Sequence, residues 1–446
     1  MKGKAARTPG LDPVCTKPQR IAKRAKEAPP MAFPTLAHHL DLEWRKEAYR
    51  RTRKDGAAGV DEQTAGAYAE HREDNLRSLL ERAKSGTYHA PPVKRVHLPQ
   101  GDGQTRPIGI PTLEDKGLQR AVARVLEPIY EQDFVDGSYG FRPRRSAHQA
   151  LPALGEQTMS RGGGWVLEID IQKFFDTLDH AHGRSILGRR VGDGVILRLI
   201  GQWLKAGVLE SGCVTHPEAG SPQGGVLSPR WANGYLHEVL DTWFERTVKP
   251  RLTGRAFLIR YADDAVRVLE KKDDADRVLE VLSKRFGKYG LALHPEKTRR
   301  VAFQQPRRGV NQDDRDGSGP DSFDRLGFTH DWGLSRKGNG VVKRKTAKGR
   351  RSRALQRISE GCRLPRHRPV IEQGKRLSSK RRGHYAYYGI PGNVRSLGRF
   401  RHTTERIWRK WLDRRSHKAR MRGERFAALR ARYPLPPARL PRSAFT

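Results

Sequence analysis

The sequence predicts an α+β fold, with antiparallel strands among helices in its first three quarters and an α-helical region after them. Three observations lead there. Two stretches, WVLEIDI (Trp165 to Ile171) and AFLIR-YADD-AVRVL, are short, apolar and rich in β-formers, so they read as strands. Segments with helical apolar spacing surround them. From Lys343 onward the text is helical with Pro and Gly breaks, and 32 Lys and Arg stand against five acids, an excess of 27 out of the chain's 39. A polyanion-gripping unit is therefore expected at the C-terminus.

In order, residues 1–35 are basic and Pro-rich around Pro29, Pro30 and Pro34, and are expected to be disordered. Asp61 to Ala83 reads as helices, with Leu76, Leu79, Leu80 and Ala83 at helical spacing. VKRVHLPQGDGQTRPIGIP reads as a β-hairpin: Val93, Val96 and Leu98, a Gly-Asp-Gly turn, then Ile108 and Ile110. Leu113 to Tyr130 is helical. Asp170 falls near the end of the Trp165–Ile171 strand, and a tight turn between two further strands holds Asp263 and Asp264. An amphipathic helix runs from about Asp273 and closes at Gly290, and a polar Gly/Asp/Arg loop spans Gln304 to Asp321. Near the end, Phe400, Thr404, Ile407 and Trp411 share one helical face, with Arg on the other. No repeat of solenoid period is present.

A chain of 446 residues is too long for one compact core, so two or three packed units are expected. Its 88 Lys and Arg against 49 acids give a net charge of +39, which points to nucleic acid as partner. An anionic membrane is the weaker reading, because no apolar run reaches the roughly 18 residues of a spanning helix. Cys15, Cys213 and Cys362 are far apart, which argues against a common zinc site or a disulfide framework and fits a reducing cytosol. A bacterial cytoplasmic location is expected. An organellar one stays open, because residues 1–30 are basic, Ala-rich and nearly free of acid.

Two-metal phosphoryl transfer needs carboxylates that converge on Mg²⁺, an ion that prefers oxygen ligands. Adjacent acids such as Asp263 and Asp264 repel unless a cation neutralises them. Taken alone, an Asp-Asp pair is more often a solvated hairpin turn. Here a third acid, Asp170, also ends an apolar strand, and a Gly-rich loop, GSPQGGVLSP, lies between them.

Those residues carry a resemblance. YADD (Tyr261 to Asp264) resembles the signature of reverse transcriptases, EIDIQKFFDTLDH their first catalytic motif, and AGSPQGGVLSPRWANGYL their nucleotide-positioning motif. GLALHPEKTRRV resembles the motif after the catalytic hairpin, and FDRLGF (Phe323 to Phe328) the primer-grip turn. RPIGIPTLEDKGLQRAV and YGFRPRRSAHQAL are similar to finger motifs of the branch encoded by group II introns. The match runs in order from about Val60 to Phe328.

The resemblance implies a right-hand polymerase, with fingers and palm over residues 36–335 and a helical thumb with a maturase-specific RNA-binding region over 336–446. It implies that Asp170, Asp263 and Asp264 hold two Mg²⁺ ions, with the carbonyl of Ile171 as an extra ligand. Phe175 matches the steric gate that favours dNTPs, Gln223 the residue bracing the incoming nucleotide, and Lys297 the lysine that protonates pyrophosphate. A core aromatic and a surface lysine are the alternatives for Phe175 and Lys297. Arg106 matches the finger arginine that grips the triphosphate. Family members usually carry Lys six residues earlier, where this chain has Gln100; Lys94 or Arg95 on the same hairpin is the candidate replacement.

RRGHYAYYGIPGNVRSLGRF (Arg381 to Phe400) resembles the maturase-specific segment. Arg381, Arg382, Tyr385, Tyr387 and Tyr388 are the RNA-binding candidates from it, since cations among aromatics suit phosphate contact and base stacking. Packing in a helical core is the alternative for these aromatics, Trp408 and Trp411 above all. Some family members add an HNH nuclease with cysteine pairs, which this sequence is expected to lack. The partners implied are group II intron RNA, an RNA template with DNA primer, dNTPs and target DNA, with a dimer as an open option. A stand-alone reverse transcriptase in defence or CRISPR-linked acquisition, and a splicing-only RNA-binding maturase, are the competing readings.

Overall fold

The computed structural model describes residues 13–99, 105–216, 219–220, 224–306, 321–335, 337–416, 421–438 and 440. Gln100, Gln223 and most of the polar loop before Asp321 lie outside them. The chain mixes helix and sheet and divides into two compact units, Met1–Ala150 with Val166–Arg300, and Leu151–Trp165 with Val301–Thr446.

The first unit opens with α1 (Pro13–Glu27), inside the segment expected to be disordered. That expectation is corrected: Ile21 and Ala25, four residues apart, are buried, so one face of the basic helix has an apolar seat despite its charge. Helix α2 (Leu42–Arg50) starts where the Asp41 carboxylate accepts from the Trp44 N–H at 2.9 Å. Helices α3 (Ala65–Glu70) and α4 (Arg72–Ser85) follow. The expected hairpin is β1 (Val93–Pro99) and β2 (Thr105–Ile110), antiparallel with Leu98 opposite Arg106. Helix α5 (Leu113–Asp133) is capped by Thr112 and carries Glu114 and Asp115 in its first turn, where the helix dipole favours acids.

Helix α6 (Ala147–Met159) and strand β3 (Gly163–Ile169) come next; β3 is almost wholly buried. Helices α7 (Phe174–Thr177), α8 (His180–Gly188) and α9 (Gly194–Lys205) lead to the short strands β4 (Val208–Glu210) and β5 (Cys213–Thr215). These complete a sheet of order β2-β1-β4-β5. Helix α10 (Ser228–Leu236) continues as π-helical turns over His237–Thr242 and Phe244–Val248. The hairpin β6 (Ala256–Tyr261) and β7 (Asp264–Leu269) has Tyr261 opposite Asp264, and β7 lies beside β3. Helix α11 (Lys272–Lys288) packs on β7, and its Ala275, Val278, Leu282 and Phe286 are buried.

The second unit begins its strands with β8 (Arg299–Gln304) and holds a three-stranded sheet of order β11-β10-β9: β9 (Phe323–Arg325), β10 (Phe328–Leu334) and β11 (Gly340–Thr346). Four helices follow, α12 (Lys348–Arg363), α13 (Val370–Tyr388), α14 (Val394–Asp413) and α15 (Gly423–Arg432). The stripe of α14 that is buried is Leu397, Phe400, Thr404, Trp408 and Leu412, flanked by the partly buried Ile407 and Trp411. Within this unit, Phe328 of β10 lies against Tyr387 and Tyr388, and the Thr346 N–H donates to the Asn393 side chain at 2.9 Å. No helix among the described residues is long and apolar enough to cross a membrane.

Candidate active site

Strand β3 ends at Ile169, Asp170 follows it directly, and the chain turns at Gln172 and Lys173. The Asp170 carbonyl accepts from the His294 N–H at 2.8 Å, and the Gln172 N–H donates to the Ala292 carbonyl at 2.9 Å. These two bonds flank the antiparallel bridge Ile171–Leu293. In such a pairing the central residue's own amide and carbonyl point away from its opposite number, so those of Ile171 turn from Leu293.

Next to it, the β6–β7 hairpin turns through Ala262 and Asp263, with Ala262 in the left-handed region at φ 59°. Asp170, Ile171, Phe175, Asp263 and Lys297 line one cleft of about 390 Å³ together with Arg106 of β2. Asp264, the first residue of β7, is exposed beside it. Burial pushes the Asp263 carboxyl above the usual carboxylate range, and the charges of Asp264 and then Asp170 push the same way, against a smaller pull from Arg106. Asp263 therefore feels both of the other acids. Lys297 Nζ lies 3.2 Å from an Asp170 oxygen.

Among the described residues, no group of three or more His, Cys, Asp or Glu side chains is gathered closely enough to hold a metal ion. The donor set itself, hard carboxylate oxygens with one acid raised by burial and then by its acidic neighbours, fits a hard divalent cation.

Phe175 is half-buried on α7, its ring edge-on to Phe174 with centroids 5.2 Å apart. Of the Gly-rich loop, Gly220 lies beside this helix and Gly224 beside β2. Gly220 has φ 95°, and a Cβ there would lie 2.9 Å from the Phe175 carbonyl oxygen; Gly224 has φ 115°, with Ile108 Cγ2 2.6 Å from such a Cβ. The two described ends of the loop thus bracket the cleft, although Gln223 lies outside the described residues.

Lys94 does not line the cleft; its ammonium pairs with Glu62 at 3.4 Å. In the second unit, two RNA-binding expectations are corrected. Arg381 is wholly buried, with Nε donating to the Tyr385 hydroxyl at 3.1 Å and Nη1 to Glu405 at 3.4 Å. Tyr385 is buried with Phe400 and Leu397. Both side chains belong to the helical core, because α13 turns that face inward. Tyr387 and Tyr388 are half-buried against Phe328, with the Tyr387 hydroxyl donating to the Leu326 carbonyl at 2.8 Å. Arg382 is exposed. Trp408, fully buried, donates its indole N–H to Gln373 at 3.2 Å.

One constellation escaped the sequence reading. Arg260, the last residue but one of β6, is fully buried, and its five N–H groups are all engaged. Nε and Nη2 donate to Asp241 at 2.8 and 2.6 Å, Nη1 to the Asn233 side chain at 2.9 Å and the Ala262 carbonyl at 2.8 Å, and Nη2 to Ser138 Oγ at 2.9 Å. Asn233 Nδ2 in turn donates to the Gly140 carbonyl at 2.6 Å. The available signal was a charge inside the apolar run AFLIRY, since a buried guanidinium requires partners.

Residues 98–330 match the family described as reverse transcriptase (RNA-dependent DNA polymerase). The group II intron-encoded protein LtrA of Lactococcus lactis subsp. cremoris is 34% identical over 284 residues, 60% of this chain and 46% of that protein. Protein YkfC of Escherichia coli (strain K12) is 38% identical over 210 residues, 46% of this chain and 55% of that protein. A putative COX1/OXI3 intron 1 protein of Saccharomyces cerevisiae is 26% identical over 271 residues, 50% of this chain and 32% of that protein. The chain spans about half the length of the first two of these relatives. With Asp263 of the YADD turn and Asp170 after β3 lining one cleft, and a family match over more than half its length, this chain belongs to the reverse transcriptase family.

Proposed function

We propose that the chain is an RNA-directed DNA polymerase that also binds a group II intron RNA and assists its splicing and mobility. The observation that carries the reading is the meeting of Asp170, Asp263, Arg106, Phe175 and Lys297 in one cleft of the first unit. Asp170, Asp263 and Asp264, with the Ile171 carbonyl, would hold two Mg²⁺ ions. Those ions, when bound, supply charge neutralisation for the primer 3′-oxygen and the leaving pyrophosphate. The protein's own groups supply the rest. Arg106 presents a planar fork to the triphosphate from the hairpin. Phe175 closes the space a 2′-hydroxyl would fill. Lys297, beside Asp170, is placed to give a proton to the leaving group. In this reading residues 36–335 provide fingers and palm, and residues 336–446 provide the thumb and the RNA grip. The exposed Arg350, Arg353 and Arg357 of α12, spaced three and four apart, form one basic face toward RNA.

The test is primer extension on an RNA template by Asp263→Ala and Asp264→Ala, alongside intron binding and splicing. Extension should fall by at least about 10³-fold, the effect of losing several kcal/mol of transition-state charge stabilisation, with intron binding little changed. Surviving extension would reject the polymerase site; an equal loss of splicing would reject the separation of the two activities.

A further inference from the structure

The geometry points to Arg260 as a positioning residue for the Asp263 carboxylate, acting through the peptide between Ala262 and Asp263. The proposal rests on the polymerase reading above and adds to it the device that aims one of its acids.

Asp263 sits in a two-residue turn, and such a turn has little to hold it except its own strands. Here the carbonyl of Ala262 accepts from Arg260 Nη1 at 2.8 Å. That carbonyl belongs to the peptide plane that carries the Asp263 amide, so fixing its direction fixes where the Asp263 side chain starts. Ala262 needs such a restraint, since a left-handed φ of 59° is unfavourable for a residue with a Cβ. The guanidinium is itself held on every side. Asp241 takes two of its faces, Asn233 and Ser138 the remaining N–H groups, and all four residues are at most 1% exposed.

The supports come from separate elements. Asp241 stands in the π-helical turn His237–Thr242; a π register is uncommon and recurs at functional sites. Asn233 lies on α10 and links Arg260 to the Gly140 carbonyl. The 137–140 segment pairs with β6 directly, the Arg260 N–H donating to Gly137 and the Tyr139 N–H to Arg260, each at 2.8 Å. A buried ion pair is weak evidence for stability, and a well-packed apolar replacement often does as well. A guanidinium whose fifth hydrogen bond goes to the turn carrying a metal-ligand candidate has a use that an apolar residue could not replace.

The experiment uses the full chain with RNA template and DNA primer. Arg260→Lys keeps a cation by Asp241 but lacks the fork that spans Asn233, Ala262 and Ser138 together. For Arg260→Lys, kcat should fall about 10²-fold with the KM for dNTP little changed. The Mg²⁺ concentration for half-maximal rate should rise about tenfold, and Mn²⁺ binding to the protein–primer–template complex, followed by electron paramagnetic resonance, should weaken by a similar factor. Template binding should stay at the wild-type level. Asn233→Ala, which retains the Arg260–Asp241 pair, should shift both metal readouts in the same direction by a smaller factor. Folded variants with wild-type Mg²⁺ and Mn²⁺ responses would overturn the proposal. Loss of fold in both variants would overturn it too, in favour of a purely structural pair. Wild type that fails to extend primers, or Asp263→Ala that still extends them, would instead defeat the polymerase reading.

Discussion

Gly140→Ala probes the clamp on the catalytic turn from its other side. Gly140 is needed for space: a Cβ there would fall on the Ala262 amide nitrogen and within 2.8 Å of both Ala262 Cα and the Tyr261 carbonyl carbon. Ordinary contacts begin at 3.4 Å, so the turn must retreat by at least about half an ångström, and further at the nitrogen. The 2.6 Å bond from Asn233 to the Gly140 carbonyl resists motion of the other partner. Overpacking of this kind costs about 1–3 kcal/mol of stability. A misplacement approaching 1 Å at the acid should lower the extension rate by up to about 10²-fold. Urea unfolding and single-turnover primer extension measure the two effects separately. Gly155→Ala is the control. It lies on α6 with nothing within 4 Å of the added Cβ, and should stabilise by about 0.5–1 kcal/mol with full activity. A Gly140→Ala enzyme with wild-type rate and stability would refute the reasoning.

Arg381→Ala should cost about 2–4 kcal/mol, because it opens a cavity and removes one of the cations on Glu405, which Arg401 and Arg430 still hold. Arg382→Ala should leave urea unfolding within about 0.5 kcal/mol and lower the salt slope of intron binding by about 0.9; the reverse pattern would restore Arg381 to the RNA surface. Asp115 is buried, accepts from Tyr88 and from the Trp203 indole at 3.1 Å, and burial raises its carboxyl to about 6. A raised folded-state value means stability is greatest below the unfolded value and is lost as pH rises through about 6. His237 and His384, lowered to about 4 by burial, act oppositely, so the comparison is with Asp115→Asn. Relative to that variant, wild type should gain on the order of 2 kcal/mol between pH 7 and pH 4; parallel stability curves would exclude it.

Local pattern carried much of this protein. The β1–β2 hairpin, α5, the acid-bearing β3 and the β6–β7 turn are legible because apolar alternation, helical spacing and turn chemistry act over a few neighbouring residues. The places of Asp170, Asp263 and Asp264, where apolar strands meet turns, are legible in the same way. Tertiary structure decided three other matters. It gave α1 an apolar seat, through Ile21 and Ala25, that composition could not foresee. It turned Arg381 and Tyr385 inward, since which face of a cation-rich helix is buried depends on what packs against it. It also joined Arg260, Asp241, Asn233 and Ser138 around Ala262, across more than a hundred residues of chain. Spacing along a strand reveals which residues are apolar; only packing determines which charge is enclosed, and which groups must then surround it.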